Sequence, residues 1–201
     1  MKMLFIGLLA VTLATGVALQ ASRPAAAQAA SPDPIVGNAH SPVRVIIYQD
    51  LECPDCAQWH GVFERQMIPE FGARVGFEFR DFPLPQHLWS FNAAVLARYF
   101  DTRQTKVGLG WRDYCFTHQD QLTPGNLLDL AAQWAHSYGI SEAELAAVFG
   151  RQDLFQKVMA DESRGKQDNV QHTPTILLNG VEATTPAQLT QMLNHALAAP
   201  R

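Results

Sequence analysis

Cysteine is scarce in this chain, with three in 201 residues. Three are too few for a small fold stapled by disulfides, and an odd count leaves at least one thiol outside any intrachain pair. Basic charge is short as well: 15 Lys and Arg stand against 19 Asp and Glu, a formal charge of −4. That balance argues against a nucleic-acid partner. No internal repeat is present, and low-complexity sequence is confined to an Ala-rich stretch near the N-terminus. The long apolar run is confined there too, over 3–19, and Arg23 and Pro24 end it at about the shortest span that crosses a bilayer. What is present is ordinary globular sequence, 47% hydrophobic and 17% charged, enough for one compact domain enlarged by a subdomain.

The start of the chain has the form of a secretory signal peptide over 1–27. Lys2 supplies the basic start, 3–19 the apolar centre, and Ala25-x-Ala27 a small-residue cleavage site, with Ala21 or Ala30 as alternatives. Removing residues 1–27 takes away Lys2 and Arg23 and no acid, moving the formal charge from −4 to −6. Export to the periplasm or another extracytoplasmic space places the thiols in an oxidising compartment. There so few cysteines are expected to be used rather than structural.

Residues 28–42, with Pro32, Pro34, Gly37 and Pro42, read as an extended N-terminal arm. The run 43–48, Val-Arg-Val-Ile-Ile-Tyr, is nearly continuous in apolar and β-branched residues, as in a central strand buried on both faces. Pro54 suits the first helical position, which puts Cys53 at the N-cap. Trp59, Val62, Phe63 and Met67 then give a helix one buried face, with Pro69 expected to end it. Residues 75–82 alternate as a second strand. From about 88 to 169 the pattern is helical, and Ser141-Glu142-Ala143-Glu144 is a capping box. Thr175 to Leu178, the Asn179-Gly180 turn and Val181 to Ala183 read as a hairpin. Thr185-Pro186 opens a last helix whose Leu189, Met192, Leu193 and Leu197 share a face. The order is therefore β-α-β, a helical block, then β-β-α.

Within that order, Cys53-Pro54-Asp55-Cys56 sits at the first strand-to-helix junction. The spacing permits a redox disulfide, a buried structural disulfide or half of a metal site. With His60 the pattern extends to Cys-x-x-Cys-x-x-x-His, but a closed zinc site wants four ligands and no second pair is evident. Redox chemistry is the preferred use of the motif. Asp55 and Glu52 bring negative charge near Cys53, which should weaken its thiolate. Cys115 reads as a buried small hydrophobe, with pairing to another chain as the sharper alternative. His172 and His60 read as surface residues, and Trp59, Trp89, Phe91, Trp111 and Trp134 as core.

Three stretches carry a resemblance: Tyr48-Gln49-Asp50-Leu51-Glu52-Cys53-Pro54-Asp55-Cys56, then Phe79-Arg80-Asp81-Phe82-Pro83-Leu84, then Thr173-Pro174-Thr175-Ile176-Leu177-Leu178-Asn179-Gly180. In this order they resemble the DsbA family of secreted thiol-disulfide oxidoreductases. The resemblance implies an α/β thioredoxin fold over 43–85 and 170–201, interrupted by an all-helical insertion over 86–169. It implies that Cys53 attacks, Cys56 resolves, and Pro54, Asp55, Thr173 and a cis Pro174 support the site. Asp50 and Glu78 are the candidate proton acceptors for Cys56. The implied substrates are cysteine-containing exported proteins, with a membrane redox protein as partner, no cofactor and no metal. The short arm leaves no room for a dimerisation domain, which favours a monomeric oxidase over a reductase or isomerase. Two other classes stand beside this one: a periplasmic copper or zinc delivery module using the same thiols, and a domain whose cysteines are idle.

Overall fold

The computed structural model describes residues 33–198. The expected signal segment and the first part of the arm lie outside the described residues. Five strands form one mixed sheet, β1 (Ile35–Gly37), β2 (Arg44–Gln49), β3 (Gly76–Asp81), β4 (Thr175–Leu178) and β5 (Val181–Glu182), in the order β1-β3-β2-β4-β5. β2 and β3 run parallel with Ile47 opposite Phe79, and the other pairs are antiparallel. The parallel pair requires a crossover. α1 (Pro54–Val62), a π-turn (Phe63–Met67) and α2 (Ile68–Phe71) supply it.

β2 is buried on both faces, as its apolar run predicts. Val45 and Ile47 enter a core with Phe63, Phe71, Phe77 and Leu189. Tyr48, on the opposite face, packs with Phe82, Val170 and Leu177. Pro69 does not end the first helix. Ile68 N–H bonds to Phe63 O across the π-turn, so the helix restarts at Ile68 and Pro69 falls in a first turn, where its missing donor costs little. The arm also differs from its expected form: Ile35–Gly37 pairs antiparallel with β3 as an edge strand. A three-residue strand is too short to leave an alternation in the sequence.

The remaining helices are α3 (Ser90–Arg103), α4 (Thr105–Thr117), α5 (Leu127–Ala135) with a short 3-10 turn to Tyr138, α6 (Glu142–Val148), α7 (Gln152–Gln167) and α8 (Pro186–Ala198). The Ser141 capping box is present, with Ser141 Oγ accepting from Glu144 N–H and Glu144 accepting from Ser141 N–H. α3 to α7 surround a second core built on Leu96, Phe100, Trp111, Leu145 and Leu154. Trp111 is fully buried, and its indole N–H donates to Ala93 O at 3.0 Å. α7 approaches the sheet so closely that a Cβ on Gly165 would lie 2.5 Å from the Phe82 ring.

A buried ionic cluster joins the helices to the sheet. Asp81, at the end of β3, meets Arg112 at 3.1 Å and Arg98 at 2.7 Å, and its N–H donates to Asp161 on α7 at 2.9 Å. Arg112 also grips Asp101 through two bonds of 3.0 Å. Arg98 reaches Asp33 on the arm at 3.1 Å and Asp161 as well. The members are scattered along the chain, so no local pattern announces them.

Candidate active site

The site forms where β2 ends and α1 begins. Cys53 is the N-cap of α1 with extended backbone (φ −77°, ψ 122°), and Pro54 occupies the first turn. This places the Cys53 sulfur over N–H groups that no helical carbonyl can satisfy. All three cysteines are unbridged and buried. The Cys53 thiol donates to Thr173 O at 3.3 Å, across 120 residues of sequence. Thr173 precedes Pro174 through a cis peptide bond. The first and third stretches singled out in the sequence are thus brought together.

The two thiols are driven apart in acidity. A hydrogen bond from Cys56 is the largest influence lowering the Cys53 pKa. Burial opposes it, and the Thr173 hydroxyl and the N–H groups of Cys56 and Asp55 reinforce it, leaving Cys53 held down to about 6. The Thr173 carbonyl favours the protonated thiol, but the donors outnumber it. Burial pushes the Cys56 thiol far up, and the neighbouring Cys53 pushes it further. One sulfur is therefore a ready thiolate and the other a retained thiol, the division that stepwise disulfide exchange requires.

Because the folded pKa of Cys53 lies below that of an ordinary thiol, the reduced fold gains stability above about pH 8.5 and loses it as pH falls through about 6. The Thr173 hydroxyl acts on both sulfurs yet makes no hydrogen bond of ordinary length. Thr173→Val should therefore raise the Cys53 pKa, by less than the one unit or so that a full hydrogen bond to a charged group is worth. The pH dependence of Cys53 alkylation measures this. An unchanged midpoint would remove Thr173 from the account.

Asp50 packs directly against the resolving cysteine. Its N–H donates to Cys56 Sγ at 3.4 Å, and its buried carboxylate accepts from Glu52 N–H at 2.8 Å, Leu84 N–H at 2.6 Å and His87 Nδ1 at 2.7 Å. Glu78, the other acid considered, is placed elsewhere. Its carboxylate binds Arg44 at 3.0 Å and Arg80 at 2.6 Å, on the sheet face of Tyr48 rather than that of Phe63. Strand alternation turns this acid away from the face that carries Phe63, and the basic residues around it satisfy it there.

Glu52 corrects the electrostatic reading of the sequence. Its Oε2 accepts from Trp89 N–H at 2.7 Å and Ser90 N–H at 3.1 Å, so its charge caps α3 instead of facing the Cys53 thiolate. Asp55 remains exposed in the first turn of α1 and, among the described residues, accepts only from Gln58 Nε2, at 3.3 Å. His60 is not a free surface residue: Nε2 meets Asp113 at 2.9 Å and the ring stacks on Phe116 at 4.9 Å. Among the described residues no group of three or more His, Cys, Asp or Glu is arranged to hold a metal ion. Cys115 is fully buried in the helical core, with its pKa raised by that burial.

Two residues that sequence reasoning missed complete the site. His87 binds Asp50, and Gln119 Nε2, reaching from beyond α4, donates to both Leu51 O and Cys53 O at 2.9 Å. Neither belongs to a motif, because each acts through a fold contact with the Asp50 to Cys53 loop.

The thioredoxin family model matches residues 29–195. The chain belongs to the thioredoxin family. Within it, the sheet with its helical insertion resembles the fold of solved DsbA-type proteins. A variant of alpha-DsbA1 from Wolbachia pipientis is similar at TM-score 0.69 and 18% identity, over 82% of this chain and 90% of that one. BdbD from Bacillus subtilis gives 0.69 and 20%, over 83% and 94%. ScsC from Proteus mirabilis gives 0.66 and 18%, over 82% and 74%. A curated relative, the Na(+)/H(+) antiporter NhaA 3 of Salinispora tropica, is 29% identical over 151 residues. This thioredoxin-family chain spans 22% of that relative's length, with 74% of its own residues in the match. Among the described residues, no helix is long and apolar enough to cross a membrane.

Proposed function

We propose that this chain is an exported thiol-disulfide oxidoreductase that forms disulfide bonds in cysteine-containing proteins through Cys53 and Cys56. The observation that carries the reading is the meeting of Cys53, at the N-cap of α1 three residues before the buried Cys56, with the Thr173–cis-Pro174 loop, where the Thr173 carbonyl accepts from Cys53 Sγ at 3.3 Å. The lowered pKa of Cys53 and the raised one of Cys56 agree with it. In the oxidising direction a substrate thiolate attacks Cys53 Sγ of the Cys53–Cys56 disulfide, and Cys56 leaves as a thiolate that takes up a proton. A second substrate thiolate then attacks the substrate sulfur of the mixed disulfide and expels Cys53 as the thiolate its surroundings favour. The substrate loses two electrons and the enzyme gains them. A membrane redox protein reoxidises the dithiol. Asp50, whose backbone N–H meets Cys56 Sγ and whose carboxylate is held by His87, is the acid we assign to the Cys56 proton. Pro54 and Pro174 shape the two loops that present Cys53.

The assays are oxidative refolding of a reduced cysteine-containing protein and, in reverse, insulin reduction. A protein that catalyses neither while binding copper or zinc tightly and stoichiometrically overturns the reading. The direction of electron flow rests on Asp55, since Glu52 is committed to α3. Asp55→His replaces a repelling charge with a donor, so the reduced form gains stability and the potential rises. Each unit by which the Cys53 pKa falls corresponds to about 30 mV. Equilibration of both proteins with glutathione buffers reads this shift. A potential unchanged or lowered by the substitution contradicts the electrostatic argument.

A further inference from the structure

We propose that a cleft between α1, α4 and the sheet binds a small, flat, largely apolar molecule carrying an amide, at a site separate from the thiols and independent of the exchange activity proposed above. The cleft has a volume of about 410 Å³, within the range of small-molecule pockets, and neither the cysteines nor the loop before β4 contribute to its lining. Its apolar walls are Val36 on β1, Phe79 on β3, and Leu109 and Phe116 on α4, with Tyr138 beside them.

Gln49 gives the cleft its chemistry. It ends β2 and shares a face with Val45 and Ile47, which enter the core that Phe63 also joins. The same alternation calls for a third apolar residue, yet a carboxamide stands there, 5% exposed and lining the cleft. Among the described residues that carboxamide makes no hydrogen bond. The neighbouring polar groups are satisfied without it: Arg112, which also lines the cleft, directs its donors to Asp81 and Asp101, and His60 Nε2 meets Asp113. A buried polar side chain without a partner is rare in a folded protein, and a ligand in the cleft would supply what Gln49 lacks.

A carboxamide offers an acceptor, Oε1, beside the donors on Nε2. The matching partner presents a donor and an acceptor side by side, the pattern of a primary or cyclic amide. The rings of Phe79, Phe116 and Tyr138 favour a flat body on that amide. A second feature marks the same place. Glu64, another lining residue, belongs to the π-turn at Phe63–Met67, and such interruptions of an α-helix are frequent at functional sites.

The test uses the full chain and two probes of one shape: quinolin-2-one, a flat cyclic amide, and coumarin, in which a ring oxygen replaces the N–H. Calorimetric titration should give quinolin-2-one a Kd of about 0.1 mM, reasonable for a molecule of its size, and coumarin should bind about tenfold more weakly. Gln49→Met, close in volume, should bring the two probes within about twofold of each other, because the donor and acceptor that tell them apart are gone. Leu109→Trp, which fills the cleft from α4, should abolish the binding of both. In NMR spectra of the wild type, quinolin-2-one should shift the backbone amides of Gln49, Phe79 and Leu109 and leave that of Thr173 in place. The wild-type affinities and shifts need no variant, so they decide the matter even where a substitution prevents folding. Absence of binding, equal affinities for the two probes in the wild type, shifts centred on Thr173, or a preference that survives Gln49→Met overturns the proposal.

Discussion

Replacing Cys56 by serine is expected to leave the protein covalently joined to its substrates through Cys53 and to reduce turnover to the uncatalysed background. Cys53 keeps its position at the N-cap of α1, with the N–H groups of the first turn beneath it, so it still attacks disulfides. A serine hydroxyl cannot displace the substrate sulfur, and the mixed disulfide persists. The fold should tolerate the change, because Oγ can still accept from the Asp50 N–H that now bonds Cys56 Sγ. Non-reducing gels should show adducts that vanish on reduction and are absent from Cys53→Ser. Cys115→Ser should trap nothing and lose nothing, since that thiol is fully buried with its pKa raised. Adducts that map to Cys115, or full turnover in Cys56→Ser, would contradict the assignment of the two roles.

Arg112→Met should cost about 3–5 kcal/mol of folding stability, the range for removing one partner of a buried ion pair. Arg112 is buried on α4 and binds Asp81 and Asp101, so its loss strands carboxylate charge at the junction of sheet and helical block. For a chain of this size the loss corresponds to a fall in melting temperature of about 6–20 °C. The exposed pair Arg151–Asp153 is the contrast. Its side chains are 44% and 56% accessible, and Arg151→Met should leave the midpoint nearly unmoved. Urea unfolding of both variants decides the matter. Equal small effects would mean that the cluster does not hold the helices to the sheet.

The parts of this fold that were legible in sequence are those written in local patterns. The apolar run before Cys53, the Ser141 capping box, and the Asn179-Gly180 turn with both residues at positive φ each carry their signal within a few residues. What escaped depends on contacts distant in sequence. β1 is three residues whose identity as a strand comes from pairing with β3. Pro69 reads as a stop until a π-turn rephases the helix before it. Glu52 looks like a charge beside Cys53 until α3 offers it two N–H groups.

The site divides the same way. Cys53, Cys56 and Asp50 lie on one short stretch, so spacing alone places them together. Glu78 lies instead against Arg44 and Arg80, on the face to which strand alternation turns it. His87 and Gln119 hold the Asp50 to Cys53 loop from segments 31 and 63 residues beyond Cys56, and nothing local to either residue announces that contact.

The central claim is a reversible dithiol–disulfide couple between Cys53 and Cys56. Equilibrating the protein across a series of reduced and oxidised glutathione mixtures, trapping free thiols by alkylation and mapping each cysteine by mass spectrometry tests it most directly. The account predicts one two-electron transition in which Cys53 and Cys56 change together while Cys115 stays a free thiol throughout. Cysteines that titrate independently, or a disulfide that includes Cys115, would contradict it.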